Sequence, residues 1–391
     1  MNLFLNKLLS NFQPTTTPTV SRQGYCYSTS MQGPDKDTFV KGSSNISFTG
    51  KRSNGSTKKG DCLKELENIT CPYSGIRMIT SKKMDKIERD IAKSKSLPEQ
   101  MEVVEKYRPC MQRLEKNIYS VFKGYEINNP DGTVNDCLNE LKPECLAELR
   151  ISELQVLDGI DNISNKLDAK TALEIRKVTT EARKIILEDN QDKIFKRKDI
   201  LAKIHDVTQD HPSQDVVREM WQKANELPKS TNDFNAFVVK YANRSPQEIL
   251  ARLLRPSVAS IEHIRPANPC SEEIEAGKDD LTNFMLAARD WNSGRGNQPL
   301  PDFIKKHPNI PKYSQMYMND IIKAIHKNHL KDCNWYPYVI KEKLYNESEG
   351  LIDVNLDKYK LDKETAFIDA PEDVIGVYND LLEKNKSITK K

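Results

Sequence analysis

The 391-residue sequence lacks several patterns that would assign a class of protein directly. It has no run of about 18 apolar residues, which argues against a membrane-spanning helix. It also has no P-loop, no dinucleotide-binding glycine pattern and no nucleophile elbow, so nucleotide-dependent and serine-hydrolase chemistry find no support. No C-x-x-C pair occurs, which argues against a zinc ribbon.

Cysteine is present eight times but scattered. The positions are Cys26, Cys62, Cys71, Cys110, Cys137, Cys145, Cys270 and Cys333. In a chain of this length an even number of cysteines is no indication of disulfides. Free thiols in a reducing compartment are the expectation.

Composition predicts a polar, helix-rich, soluble protein with modest cores and room for two or three domains. Hydrophobic residues make up 37% and charged residues 30%, with a mean hydropathy of −0.68. The net charge is only +3, but it is uneven: residues 1–60 hold eight Lys or Arg against two Asp. A protein of this balance needs a local basic groove, or the basic tail itself, to engage a nucleic acid.

Residues 1–60 are rich in Ser, Thr, Asn and Gly, and we expect them to be disordered. The apolar start is interrupted by Asn6 and Lys7, which disfavours a secretory signal peptide. No acidic residue precedes Asp35. A floppy tail, an unstructured leader of the kind bacterial effectors carry and an organelle transit segment all stay open. The corresponding localisations are the bacterial cytoplasm, secretion as an effector and an organelle.

The segment 81–255 has the periodicity of helices. Apolar residues recur at three- and four-residue spacing in Leu154, Leu157, Ile160, Ile163 and Leu167. A helical scaffold is the first interpretation, and binding of a protein partner, a DNA flank or an inhibitor is the alternative. Further helices are predicted from about Tyr313 to Leu330 and from near Asp369.

One segment points to a chemistry. Glu262 and His263 stand side by side after a short apolar run, and Asn283 and Asn292 follow, nine residues apart. Cutting a phosphodiester needs a nucleophile and neutralisation of phosphate charge, which an Mg²⁺-class ion supplies as a Lewis acid. Such an ion keeps several waters and needs only one or two protein oxygens.

Each residue of this pattern suits one role. Glu262 and the Asn292 carbonyl are the candidate ligands for Mg²⁺ or Mn²⁺, and His263 is the candidate general base, since imidazole titrates near neutrality. The Asn283 amide is placed to hold the loop that orients His263. Arg265 and Arg295 are candidate contacts to flanking phosphates.

The order of acid-His pair, mid-motif Asn and closing Asn resembles the ββα-metal core of the HNH endonuclease family. That resemblance implies a first strand over Val258 to Ile264, a second over Asn283 to Ala288 and a helix from Arg289. The turn Cys71-Pro72-Tyr73-Ser74-Gly75-Ile76 is similar to the turn that opens the HNH domain of CRISPR effector nucleases. The match covers roughly 50 positions and does not imply an RNA-guided enzyme.

Two positions depart from the family pattern. Glu262 stands where Asp is more usual, and the upstream turn is separated from the acid-His pair by the long helical segment. Relatives often hold a structural zinc with two C-x-x-C pairs. Here Ser74 replaces a cysteine of the first pair and the second pair is missing, so no structural zinc is expected.

The resulting prediction is a mainly α-helical protein with a small α+β module, an HNH core that carries a large helical insertion. Its parts are a basic tail (1–60), an N-terminal turn or strand of the module (61–80), the helical insertion or scaffold (81–255), the ββα core (256–306) and a C-terminal helical region (307–391). The expected activity is metal-dependent hydrolysis of phosphodiester bonds in DNA, with RNA as a possible substrate. Its setting would be a bacterial, phage or secreted toxin nuclease. The alternative is a non-catalytic helical interaction or effector protein with a degenerate HNH-like segment.

Overall fold

The computed structural model describes residues 61–188, 197–268, 275–327, 329–330, 333–357 and 363–389. The predicted disordered tail over 1–60 lies outside the described residues, as do Cys26 and Cys270. The six other cysteines are free thiols, of which Cys71, Cys137 and Cys145 are buried. Within the described ranges, no helix is both long enough and apolar enough to cross a membrane.

The protein is mainly helical, and 66% of the residues that the structure describes form helix. In the described part, sixteen α-helices accompany one two-stranded antiparallel sheet. The predicted fold class, mainly α with a small α+β module, is confirmed to the extent of a mainly helical protein with one small sheet. The chain divides into two compact units, which we call the helical unit (residues 82–257) and the hairpin unit (described residues of 61–81 and 258–389).

Nine helices belong to the helical unit or lead into it. They are α2 (Ser81–Lys93), α3 (Leu97–Glu105), α4 (Arg113–Asn128), α5 (Val134–Ser164), α6 (Ala169–Leu187), α7 (Arg197–Thr208), α8 (Gln214–Ala224), α9 (Phe234–Tyr241) and α10 (Pro246–Arg252), with 3-10 turns at Arg108–Cys110 and Arg255–Ser257. The apolar residues whose spacing predicted a helix lie toward the packed face of α5, where Leu157 and Ile160 are inaccessible to solvent. That face packs with α6, α7 and α8 around one core.

Local sequence chemistry sets several of these helix starts. Thr133 caps α5 and exchanges hydrogen bonds with Asp136, its third helical residue, which is the reciprocal capping-box arrangement. Ser245 and Glu248 do the same for α10, and Pro246 occupies the first helical position, where a missing N–H costs nothing. These caps satisfy N–H groups that have no partner within the helix.

The hairpin unit contains the only sheet in the described part of the chain. Its elements are α1 (Asp61–Lys64), β1 (Ala259–His263), β2 (Phe284–Ala288), α11 (Arg289–Arg295), α12 (Leu300–Lys306), α13 (Ile310–His326), α14 (Tyr336–Glu347), α15 (Lys363–Ala366) and α16 (Glu372–Thr389). The two strands and the helix that follows directly occur where the sequence predicted them. Helix α13 ends at His326, before the predicted limit at Leu330.

β2 is the centre of the hairpin unit. All five of its residues are buried, and two tyrosines fix its backbone. The Leu286 N–H donates to the Tyr317 hydroxyl at 3.2 Å, and the Tyr336 hydroxyl donates to the Phe284 carbonyl at 2.8 Å. Helices α13 and α14 therefore share one core with the sheet, and residues beyond 307 are part of the same unit as the hairpin.

Candidate functional site

The hairpin register separates the acid from the histidine. Glu262 pairs with Met285 and His263 with Phe284. Successive side chains of a strand point to opposite faces of the sheet. Glu262 therefore lies on the same face as Ser260, and His263 lies on the opposite face. The two residues that the sequence placed side by side therefore meet different surroundings.

Glu262 lies in a buried cluster with Tyr73 and Arg295. Its carboxylate accepts a hydrogen bond from the Tyr73 hydroxyl at 2.8 Å and forms a short ion pair with the Arg295 guanidinium. The side chains of Glu262 and Arg295 are only 4% and 0% exposed. The carboxylate is therefore held inside the protein, against a cation that belongs to the chain.

Arg295 makes further contacts with main-chain carbonyls. It donates to the carbonyls of His263 at 2.8 Å, Ile264 at 2.7 Å and Gln298 at 3.2 Å. Burial by itself lowers the pKa of the guanidinium, but Tyr73 and Glu262 outweigh that influence and raise the pKa above its ordinary value. Arg295 therefore stays charged.

The same cluster changes the acidity of its other members. Burial raises the pKa of the Glu262 carboxyl, and the Arg295 charge opposes that rise. Burial also raises the pKa of Tyr73 well above its ordinary value. The Tyr73 phenol therefore remains protonated and acts as a hydrogen-bond donor to the carboxylate.

His263 is the accessible member of the predicted set. Its side chain is 29% exposed, and its Nε2 lies 3.2 Å from the Asp279 carboxylate, which is 84% exposed. Its ring packs edge-on against Phe284, its cross-strand neighbour, at a centroid distance of 4.9 Å. The imidazole is thus oriented by one carboxylate and one aromatic ring while it faces solvent.

Asn283 closes the loop between the strands. Its Oδ1 accepts from the Arg265 N–H at 2.8 Å, and its Nδ2 donates to the carbonyls of Arg265 and Lys278, both at 2.9 Å. A Cβ at Gly277 would lie 2.0 Å from the Arg265 carbonyl, so this close approach requires glycine. The position of Asn283 agrees with a loop-holding role and not with direct contact to a reacting group.

Asn292 lies in the first turns of α11 and ties that helix to β1. Its Nδ2 donates to the Ser260 hydroxyl at 3.0 Å and to the Ile261 carbonyl at 2.8 Å. This contact uses the amide nitrogen, so the oxygen predicted to bind a metal is not engaged in it. Asn292 and Glu262 lie toward the same face of β1, the face that α11 covers.

Neither predicted phosphate contact is placed for that role. Arg295 is fully buried, so a phosphate outside the protein cannot reach it. The Arg265 side chain is 19% exposed and pairs with Glu347 at 2.7 Å and with Glu275 at 3.0 Å. Its charge is compensated twice within the protein. Both arginines hold the structure together here, which corrects the expectation from the sequence.

The upstream turn packs against the hairpin. Gly75 adopts a φ of +71°, and the turn closes with hydrogen bonds from Gly75 N to Cys71 O at 3.0 Å and from Cys71 N to Ile76 O at 2.8 Å. The Ala288 N–H of β2 lies 3.4 Å from the Cys71 sulfur, and burial raises the pKa of that thiol. The turn thereby presents Tyr73 to Glu262.

The predicted magnesium ligands do not fit a dication in this arrangement. One or two protein oxygens suffice for Mg²⁺, but Oε1 of the buried Glu262 carboxylate already accepts from Tyr73 and Arg295, and Arg295 already supplies the compensating positive charge.

Two participants were not assigned a role from the sequence. Tyr73 lies 189 positions from Glu262 along the chain, and nothing in a local pattern indicates that pairing. Asp279 lies in the loop between the two strands, and its contact with His263 depends on how that loop folds back. Comparison with protein-family models, curated proteins and solved structures finds no match.

Proposed function

We propose that the hairpin unit hydrolyses phosphodiester bonds of a nucleic acid, with DNA as the first substrate to test and His263 as the general base. The observation that carries this proposal is the partly exposed imidazole at the end of β1, 3.2 Å from Asp279. The order of strand, strand and helix around it supports an HNH-like enzyme. His263 has the geometry and the chemistry of a base that faces solvent.

Proton transfer follows from the ring's contacts. When Nε2 carries the proton and donates it to Asp279, Nδ1 holds the lone pair; we assign this tautomer from the carboxylate contact. Nδ1 then takes a proton from a water molecule whose oxygen attacks phosphorus. The bond from phosphorus to the leaving oxygen breaks, and that oxygen receives a proton from solvent. Water and phosphodiester yield one phosphomonoester and one hydroxyl.

The rest of the loop supports this role by fixing geometry. Asn283 and Gly277 hold the loop that brings Asp279 to His263, and Arg295 fixes the His263 carbonyl. A base held in place loses less freedom when the substrate binds. No step of this reaction is assigned to a metal ion, because the Glu262 carboxylate is already paired with Arg295.

Cleavage of supercoiled plasmid by the purified full chain tests the proposal. The arms are Mg²⁺, Mn²⁺ and chelator, each with wild type and His263→Ala. Loss of the general base should reduce the rate by roughly 10² to 10⁴-fold. The matched control is His211→Ala, which removes a similar His–Asp contact in the helical unit, His211 Nε2 to Asp168 Oδ2 at 3.1 Å.

Nicking that disappears in His263→Ala and persists in His211→Ala supports the proposal. Cleavage that is unchanged in His263→Ala rejects the base assignment and points to a contaminating nuclease or another site. A folded wild type that cleaves neither plasmid DNA nor single-stranded RNA in any arm rejects the proposed activity. The chelator arm reports separately whether an added dication contributes.

A second candidate function is a non-catalytic interaction protein built on an HNH-like scaffold. The observation that favours it is the internal neutralisation of Glu262, Arg265 and Arg295, which leaves these charges no unpaired role toward a substrate. Under this alternative His263→Ala changes neither cleavage nor folding. Binding of labelled DNA without cleavage, or no binding at all, would favour it.

A further inference from the structure

Oxygen atoms from three parts of the chain, Tyr73, residues 262–264 and Gln298, converge on the Arg295 side chain. They are the Glu262 carboxylate, the Tyr73 hydroxyl and the carbonyls of His263, Ile264 and Gln298. A carboxylate with several neutral oxygens is the kind of ligand set that a hard cation such as Mg²⁺ or Ca²⁺ prefers. In this structure all five acceptors face one guanidinium.

The positive and negative charges of this cluster already neutralise each other. Glu262 supplies one negative charge and Arg295 one positive charge, both out of contact with solvent. A guanidinium offers five N–H donors in a rigid plane, and here each of its three nitrogens has an acceptor. A second cation at Glu262 would have no countercharge within this cluster.

We propose that Arg295 is the resident cation of this site, so that Glu262 is its counter-ion and not a metal ligand. The guanidinium takes the position at Glu262 in which the HNH resemblance leads one to expect a metal. It also fixes the carbonyls of His263 and Ile264, which makes it a positioning residue for the end of β1.

Paramagnetic broadening by Mn²⁺ tests this assignment in the wild-type full chain. Mn²⁺ broadens NMR signals of nuclei near its binding site, so the probes are the Arg295 Nε–H signal and the Tyr73 ring. The expected result is no selective broadening of either signal at millimolar Mn²⁺. Broadening that is strongest at the His263 ring and weaker at Arg295 and Tyr73 also supports the proposal, because it places the ion nearer to His263 than to Glu262. Broadening that is strongest at Arg295 and Tyr73 overturns it.

Charge balance provides a second test that does not use metal. Arg295→Met leaves Glu262 as an uncompensated buried carboxylate and should raise the unfolding equilibrium constant at least about a hundredfold. The double variant Glu262→Gln with Arg295→Met removes both charges and should recover much of that loss. If Arg295→Met does not fold, recovery of a folded double variant supports the proposal in the same way. A double variant no better than the single one contradicts it.

The exposed pair Lys305–Asp302, at 3.1 Å with side chains 72% and 54% exposed, is the matched control. Lys305→Met with Asp302→Asn should show no such coupling, since exposed ion pairs contribute little. This proposal rests on the proposed function only because the HNH resemblance marks Glu262 as the expected metal ligand. The NMR experiment measures Mn²⁺ binding, and the unfolding experiment measures stability. Both can therefore be interpreted even if the plasmid assay shows no cleavage.

Discussion

A buried carboxylate in the helical unit provides the sharpest quantitative prediction. Glu153 lies on α5 and is only 5% exposed. Burial, and after it the nearby Asp233 carboxylate, raises its pKa from 4.5 to about 7, while Arg150 lowers it. We expect Glu153→Gln to stabilise the helical unit at neutral and alkaline pH, because glutamine has a similar shape and never ionises.

The direction of the pH dependence follows from whether the folded or the unfolded state binds the Glu153 proton more tightly. The folded pKa lies above the unfolded one, so folding is favoured below about pH 4.5, where Glu153 is protonated in both states. This contribution is lost as the pH rises through about 7. A difference of about 2.5 pKa units corresponds to about 3 kcal/mol. The advantage of Glu153→Gln over wild type should grow by that amount between about pH 4.5 and pH 8.

Urea unfolding at a series of pH values measures this difference. Since the chain has two compact units, hydrogen exchange of peptides from α5 and α9 should follow the transition of the helical unit. Glu174→Gln removes an exposed carboxylate from α6 and serves as the control. A difference between Glu153→Gln and wild type that stays constant from about pH 5 to pH 8 would refute the reasoning.

Four further predictions concern single contacts, and urea unfolding measures each loss of stability. Tyr73→Phe removes the donor to Glu262 and should cost about 1–3 kcal/mol; an unchanged midpoint would contradict that bond. Asn283→Ala leaves three main-chain groups of the loop without their partner and should cost a similar amount, with faster hydrogen exchange at the Arg265 amide. Gly277→Ala puts a Cβ against the Arg265 carbonyl and should cost about 1–3 kcal/mol through loop displacement. Hydrogen-exchange rates of the loop amides equal to those of wild type would contradict this displacement. Thr133→Ala breaks the capping box of α5 and should cost about 1 kcal/mol, against no effect of Thr133→Ser.

The secondary structure of the candidate site could be predicted because its signals are local. Two short apolar runs, one ending in Glu262-His263 and one starting at Phe284, predict the two strands. The stretch after Ala288 predicts the helix. Neither prediction needs contacts with the rest of the chain. Asn283 was predicted as a loop-holding residue, and its side chain makes three hydrogen bonds to main-chain groups of the loop.

The partners of the site residues could not be predicted in this way. Charged residues at the same sequence spacing bind a metal, a phosphate or one another, and the pattern alone does not distinguish these outcomes. Arg295 follows Glu262 by 33 positions and Tyr73 precedes it by 189. Their meeting depends on the packing of α11 and the Cys71 turn against the hairpin.

The sequence by itself determined the helical character, the order of strand, strand and helix, and the residue types able to carry a chemistry, since all of these depend on periodicity and local propensity. Only the tertiary structure decided which charges neutralise each other. It buried Glu262 and Arg295 together, paired Arg265 with Glu347 and left His263 in contact with solvent. The physical reason is desolvation: a buried charge must find a countercharge wherever folding places one, and that choice involves residues far apart in the chain.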